Sequence, residues 1–589
     1  MPRPLSPERT ICNPIDLPYR YQQIRPPIGA TSVHREGADP TVVRYNGRYY
    51  MFVSMSRGFF HSTDLVSWTY QPTEKLPALD YAPDARVIDG ALIICASRLR
   101  KNGPFYRSTS PLEDDFELVS EGSFPFFDPN LFQDDDGSVY LYWGCSNRTP
   151  LYGVQLDRTT FAPLAKKVVT GRADPEYRGW ERTGENYQRV PPKGLGAKIL
   201  AAVVGDAPFI EGSWMNKHDG RYYLQYAAPG TESNSYADGY FTSDNPLGPF
   251  QYSPHSPFSS KPGGFITGAG HGSTFQDEFG NWWHVGTLRI SINHMFERRV
   301  GLFPAGFDDD GALFCNQVFA DYPMLVPEGE FDPWEDTFAG WMLLSLNKDV
   351  TASSASSAHP ATFAVDENAR TWWTADQHDA GPWLRIDLGA EYDIRAIQVN
   401  HADDSVADHA PRRSDGAWVT GLHRSIFPTN APAQVAVETS LDGVSWQAFS
   451  DPRGDERDAP HRFIVVSHGV RARYVRVMAA STPFETPLSL SGVRVFGTAE
   501  GEAPACVLPR ARRLDERTAL VAWPTAERAH GYTVRYGLNP DRLYHAWQVY
   551  GQTELRLPTL NAGYEYWVAV DAFGETGVTR GEPVPIEHV

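Results

Sequence analysis

The stretch REGADPTVVRYNGRYYMFVS, Arg35 to Ser54, decides the fold. An Asp-Pro leads into a run that alternates apolar and polar side chains, breaks at Asn46-Gly47 and resumes as a second, aromatic run. Asn-Gly between two alternating runs is the signature of a tight β-hairpin. The phrase returns in VIDGALIICAS, QDDDGSVYLYWG, KHDGRYYLQYA and QDEFGNWWHVG, with turn glycines Gly47, Gly90, Gly137, Gly220 and Gly280 spaced 43, 47, 83 and 60 residues apart. A propeller blade takes ~40–50 residues, so two of these intervals carry insertions. A second strand pair such as GFFHSTDLVSWTY follows the hairpin, giving four strands per blade. A sandwich of hairpins would not repeat one Gly-aromatic phrase at this length. The reading is a five-bladed β-propeller.

After Tyr322-Pro323 the texture turns rich in Ser and Ala, with a boundary near residues 325–345. The strands WLRIDLG, IRAIQVN, AQVAVETS and ARYVRVMAA then alternate as a β-sandwich that closes at Val493–Gly497. TAEGEAPA reads as a linker, and the remainder has the length of one more sandwich. The expected organisation is all-β: a propeller at 1–328 and sandwiches at 340–498 and 503–589.

Composition narrows the chemistry. A chain of 589 residues with 41% hydrophobic and 21% charged residues is folded rather than disordered, and too long for one core. The net charge of −19 opposes nucleic acid, which needs a clustered basic surface. Sixteen Trp and 28 Tyr supply flat apolar faces suited to sugar rings. Five scattered cysteines, with no metal spacing, read as reduced thiols. The N-terminus lacks an apolar signal core and nowhere do eighteen apolar residues run together, so no membrane span is expected. The sequence as it stands reads as cytoplasmic, or as secreted if a signal has been removed.

Acids that stand just before an inner blade strand converge on the funnel of a propeller although distant in sequence. Asp39 in ADP, Asp128 in FDPN and Glu211 in FIEGSW hold such positions ahead of blades one, three and four. A single Asp-Pro is most simply a turn former. Recurrence at equivalent blade positions argues for more. Glycosidic hydrolysis needs a protonated carboxyl for the leaving oxygen and an ionised one to activate water or attack the sugar. Glu211, flanked by Phe209, Ile210 and Trp214, suits the acid because apolar neighbours raise a carboxyl pKa; Asp39 suits the base. Asp128 would hold the proton on Glu211 by like-charge repulsion.

ADPTVV, APDARV, FDPNLFQDDDGSVYLYWG, IEGSWMNKHDGRYYLQY and GHGSTFQDEFGNWWHVG together resemble the glycoside hydrolase family 43 propellers over roughly residues 10–325. The resemblance implies Asp39 as general base, Asp128 as pKa modulator and Glu211 as general acid of an inverting reaction, with a carboxylate gap of ~6.5–9.5 Å. It further implies that His271 in Gly-His-Gly holds a metal or water near the axis, and that one Arg of FERRVG, Arg298 in preference to Arg299, contacts substrate or base. No cofactor is required; a structural calcium or other divalent ion in the channel is admitted. Trp214 and Trp180 are candidates for stacking on sugar, the latter in the insertion DPEYRGWERTGENYQRVPPKG with Tyr177, Glu185 and Asn186. That insertion reads as a pocket rim or a surface loop, and Trp282 as core. The second domain resembles discoidin or coagulation-factor C-type sandwiches, some of which hold calcium near the loop matching Asp366; Leu490-Ser491-Gly492 departs from the Glu usual there. The third resembles fibronectin type III through Trp523, Tyr532, Tyr536, Leu557, Tyr564 and Ala572, and reads as a spacer.

The expected function is exo-acting, inverting release of a terminal pentose from an oligosaccharide or polysaccharide, with α-L-arabinofuranosidase first. β-Xylosidase and β-galactofuranosidase use the same acids and differ in pocket shape. A non-catalytic glycan-binding propeller is the rival of a different class. The nucleophile motif of retaining fructosidases is absent.

Overall fold

The structure is a computed structural model describing residues 7–77, 81–189, 191, 205–419, 421–451 and 457–588. Five antiparallel sheets begin at inner strands Thr41–Tyr45, Asp84–Ile88, Asn130–Gln133, Glu211–His218 and Thr267–Gln276. Each inner strand packs on the next, and the fifth packs on the first, so the sheets close into a five-bladed ring. Val42 N donates to Ser273 Oγ across the closing seam at 3.0 Å. Thr10–Ile11 pairs with Met324–Leu325 beside that seam, tying the two ends of the propeller segment together.

The repeated phrase folds as its turn chemistry dictates. Asn46-Gly47, Asp89-Gly90 and Asp219-Gly220 are two-residue loops in which both residues have φ between +47° and +77°. That backbone matches strand twist and admits few residues other than Asn, Asp and Gly.

A second device repeats. Asp39, Ala82 and Asp128, each followed by Pro, lie two residues ahead of their strands with φ of +52°, +48° and +50°. In blades four and five the left-handed residues are Gly212 and His271, within bulged parts of the inner strands. Non-glycine residues in this region are strained and persist where surrounding contacts fix them.

Residues Arg20–Glu36 depart from the expected propeller segment of 1–328. The hairpin Arg20–Arg25/Ser32–Glu36 joins no blade and instead pairs with Leu422–Ile426 of the second domain, which continues to Ala417–Val419. The pattern of alternation in RYQQIR and SVHRE specifies a strand, and nothing local in it specifies the partner.

The second domain is built on an eight-stranded sheet whose long strands Trp383–His401, His461–Ser481 and Ser489–Thr498 bury Leu384, Ile386, Val475, Val477 and Val495. Buried contacts lock it to the propeller segment: Arg35 pairs with Asp403 and Asp458, and Arg494, held within the second domain by Glu367, donates to the carbonyl of Asp321. The third domain packs a three-stranded sheet, Arg510–Asp515, Thr518–Ala522 and Glu554–Leu557, on a sheet led by Gly531–Gly537 and Trp567–Gly574. Tyr532, Tyr536 and Tyr566 are in its core, the Tyr566 hydroxyl accepting from Asn561 N at 3.1 Å; Tyr564, expected there, is exposed just ahead of the strand Trp567–Gly574.

Candidate active site

Asp39 and Asp128 are held alike. Ser54, at the end of the second strand of blade one, donates to Asp39 Oδ2 at 2.6 Å. Ser97, its counterpart in blade two, donates to Asp128 Oδ1 at 3.3 Å and accepts from Asp128 N at 2.8 Å. Ser54 Oγ also accepts from Ala82 N, so neighbouring blades share these hydroxyls. Glu211, just before the left-handed Gly212, accepts from Tyr236 Oη at 2.5 Å and from Cys145 Sγ at 2.9 Å.

His271 joins the three acids. Its Nδ1 lies 3.4 Å from Asp39 Oδ1 and 3.8 Å from Asp128 Oδ2. Asp238 fixes the backbone beneath it, accepting from His271 N and Gly272 N. Gly212 makes room, since a Cβ there would meet the His271 ring at 2.8 Å. Burial alone would lower the imidazole pKa, but the facing carboxylates of Asp39, Asp128 and Glu211 outweigh it and raise it. The carboxylates thus favour the protonated ring, which is their counter-cation whenever it holds its proton.

Carboxylate oxygens of Asp128 and Glu211 and the Cys145 sulfur all lie within 4.8 Å of one another. Burial pushes the Asp128 carboxyl up to about 7, opposed by His271 and helped by the charges of Glu211 and Asp39. Two carboxyls this close titrate as a pair and favour holding one proton between them. Of the apolar neighbours that the sequence gives Glu211, namely Phe209, Ile210 and Trp214, the structure turns Trp214 away into the seam between blades.

Arg298 Nη1 lies 3.2 Å from Asp39 Oδ1, and its Nη2 lies 2.5 Å from Glu36 Oε1. Arg299, one residue on, faces the other side of the strand and donates to His461. Tyr81 and Phe296 line the Arg298 guanidinium.

Both tryptophans singled out for sugar stacking are core residues. Trp214 is buried between blades, donates Nε1 to Thr274 O and has the Arg86 guanidinium 3.6 Å from its ring centroid. Trp180 is fully buried, donates to Tyr252 Oη and packs on Gly239. The insertion around it docks the third domain: Gly179 N donates to Leu560 O, Ala562 N to Tyr177 O, and Arg182 reaches Thr518. Of its other residues, Glu185 pairs with Arg289 and Asn186 N donates to Asn234. The insertion's tail, residues 190 and 192–204, lies outside the described residues. Ser54, Ser97, Tyr236 and Cys145 were not singled out from sequence. For the two serines a signal exists, since each closes the repeated phrase, as FVS and CAS.

Among the described residues, Asp128, Cys145 and Glu211 are the group with ligand atoms close enough to share an ion; His271 is outside it, engaged with Asp39 and Asp128. At Asp366 in the second domain, the carboxylate accepts from Thr371 and from Asn368 N, closing its own turn.

Residues 31–313 match the glycosyl hydrolases family 43. Beyond this match, residues 363–477 match a NedA-like, galactose-binding domain. The chain aligns with a β-xylosidase of Xylanibacter ruminicola at 32% identity over 164 residues, 26% of this chain and 45% of that protein. It aligns with a β-D-galactofuranosidase of Aspergillus niger at 24% identity over 287 residues, 42% of this chain and 72% of that one. An arabinoxylan arabinofuranohydrolase of Bacillus subtilis is 27% identical over 393 residues, 54% of this chain and 70% of the relative. The alignment thus spans less than half of the first relative and about seven-tenths of the other two. Among the described residues no helix is long and apolar enough to cross a membrane.

Proposed function

We propose that this chain is an exo-acting, inverting glycoside hydrolase that removes a terminal pentose from an oligosaccharide or polysaccharide, with α-L-arabinofuranose as the first candidate. One observation carries the reading: three acids from different blades share a buried site with His271 and with Arg298. Glu211 gives its proton to the glycosidic oxygen as the bond to the anomeric carbon breaks. Asp39 takes a proton from a water whose oxygen attacks that carbon from the opposite face, and the product carries inverted configuration. Asp128 acts through Glu211: the pair shares one proton, so the acid is reloaded at neutral pH. Ser54 and Arg298 orient the base.

β-Xylosidase and β-galactofuranosidase remain the alternatives, each supported by one of the relatives named above. The carboxylates of the site are also suited by donor type to a calcium or other hard divalent ion, although no step of this reaction needs one. The appended domains brace the propeller, the second through the ion pairs of Arg35 and the bond from Arg494 to the Asp321 carbonyl, and the third, a fibronectin type III-like spacer, through the insertion at Trp180.

A panel of aryl α-L-arabinofuranosides, β-xylosides and β-galactofuranosides, assayed with wild type and Glu211→Ala, tests the reading. Cleavage of one class that collapses in the variant supports it. Binding of oligosaccharide with no cleavage on the whole panel would favour the non-catalytic propeller.

A further inference from the structure

The hairpin Leu422–Ile426 belongs to the second domain in sequence, yet it lies against the catalytic site. Its register sets Arg424 opposite Ile24 and Ile426 opposite Gln22, so one face of this small sheet carries Gln22, Glu36, Arg424 and Ile426 toward the propeller. Ile426 is buried with Met55, Tyr81 and Ala82, against Phe127. Each of these neighbours adjoins the machinery: Met55 follows Ser54, Ala82 N donates to Ser54, and Phe127 precedes Asp128.

Arg424 is 2% exposed. Its Nη1 lies 3.0 Å from Gln22 Oε1 and 3.4 Å from Glu36 Oε2, and its guanidinium sits 4.5 Å from the Tyr81 ring centroid. Glu36 is thereby held between two arginines, Arg424 from the second domain and Arg298 from blade five. The order Arg424, Glu36, Arg298, Asp39 alternates in sign and sums to zero. Removing Arg424 leaves Arg298 as the one arginine shared by the two buried carboxylates.

We infer that the second domain completes the active site, with Arg424 as a positioning residue that, through Glu36, frees Arg298 to orient and neutralise Asp39. The inference rests on the assignment of Asp39 as base. The other titratable groups facing this row are His34 beside Glu36, His294 stacked on His34, Tyr81 and Tyr236 beside Arg298, and His271 on Asp39.

The test uses the full chain and the aryl glycoside that wild type cleaves. Arg424→Met should lower kcat by about 30-fold or more with KM changed less than about threefold, and move the acidic limb of the kcat profile to higher pH. Arg424→Lys should recover part of the loss. Glu36→Gln/Arg424→Met, which restores charge parity, should be faster than Arg424→Met alone. Thermal melting is followed for every variant; should the Met variant not fold, the Lys and double variants carry the comparison. Unchanged kcat and pH profile in folded Arg424→Met would overturn the inference, as would a loss that Glu36→Gln does not relieve. Asp39→Asn runs alongside: activity retained there sinks the base assignment itself, whereas a dead Asp39→Asn with a normal Arg424→Met sinks only the role of Arg424.

Discussion

Arg298 stands between two buried carboxylates, 3.2 Å from Asp39 and 2.5 Å from Glu36, and holds them in one row. Burial alone would raise the Glu36 pKa, but the Arg298 guanidinium, helped by His34 and Arg424, brings it well below the usual carboxylate range. Two carboxylates ionised this close are tolerable only with the guanidinium between them. Arg298→Gln should therefore lower kcat on the order of 10²-fold or more and shift the acidic limb of the pH profile upward. Steady-state kinetics from pH 4 to 9 (roughly the span of carboxyl and imidazole titration) check both effects.

Gly212 is a position where the backbone and the site make the same demand. Its φ is +62°, and a Cβ would lie 2.8 Å from the His271 ring. Gly212→Ala pays for a left-handed alanine, about 1 kcal/mol, and displaces the counter-cation of the site. The expected outcome is a modest fall in melting temperature with a fall in kcat of about tenfold or more. A variant that melts lower at full kcat would show that His271 can shift harmlessly.

The raised Asp128 carboxyl has a signature in stability. The folded state holds this proton, shared with Glu211, up to about pH 7, whereas a free Asp side chain gives it up near 3.8. Between those values the unfolded chain is ionised and binds fewer protons than the folded one, so stability falls as pH rises through that window. Asp128→Asn removes the penalty. Its melting temperature should match wild type near pH 4 and exceed it at pH 8 by on the order of 5 °C, with activity lost. Equal melting at pH 8 would mean that Asp128 is ionised without cost.

The propeller was legible because its signal is local and repeated: turn chemistry at Asn46-Gly47 and its counterparts, and alternation on either side. The convergence of Asp39 and Asp128 was legible for the same reason, as both stand two residues before an inner strand, next to Pro. Arg298 and Arg299 were singled out by the family resemblance alone, and the strand's alternation sets Arg298 on Asp39 and Arg299 on His461. Long-range partnership was not legible. Nothing in RYQQIR announces Leu422–Ile426 as its neighbour, and the hairpin's place beside the site follows only from that pairing. Trp214 and Trp180 misled because a tryptophan near a catalytic motif reads the same whether it faces a sugar or a blade interface. Trp214 is three residues beyond Glu211, across a register shift in the strand, and the pleat turns it into the seam. Tyr236 and Cys145 carry no sequence signal, since Tyr236 reaches Glu211 from the head of the third strand of the same blade and Cys145 from the neighbouring blade three.

The division of labour between Glu211 and Asp39 is the centre of the account, and dependence on leaving group tests it most directly. kcat/KM is measured for wild type, Glu211→Ala and Asp39→Ala on aryl glycosides of the cleaved sugar, one with a dinitrophenyl and one with an unactivated phenyl leaving group. A leaving group that departs without a proton needs no acid, so Glu211→Ala should stay within about tenfold of wild type on the dinitrophenyl substrate and lose on the order of 10³-fold on the phenyl one. Asp39→Ala should lose activity on both. Equal losses for Glu211→Ala on the two substrates, or an active Asp39→Ala, would contradict the assignment.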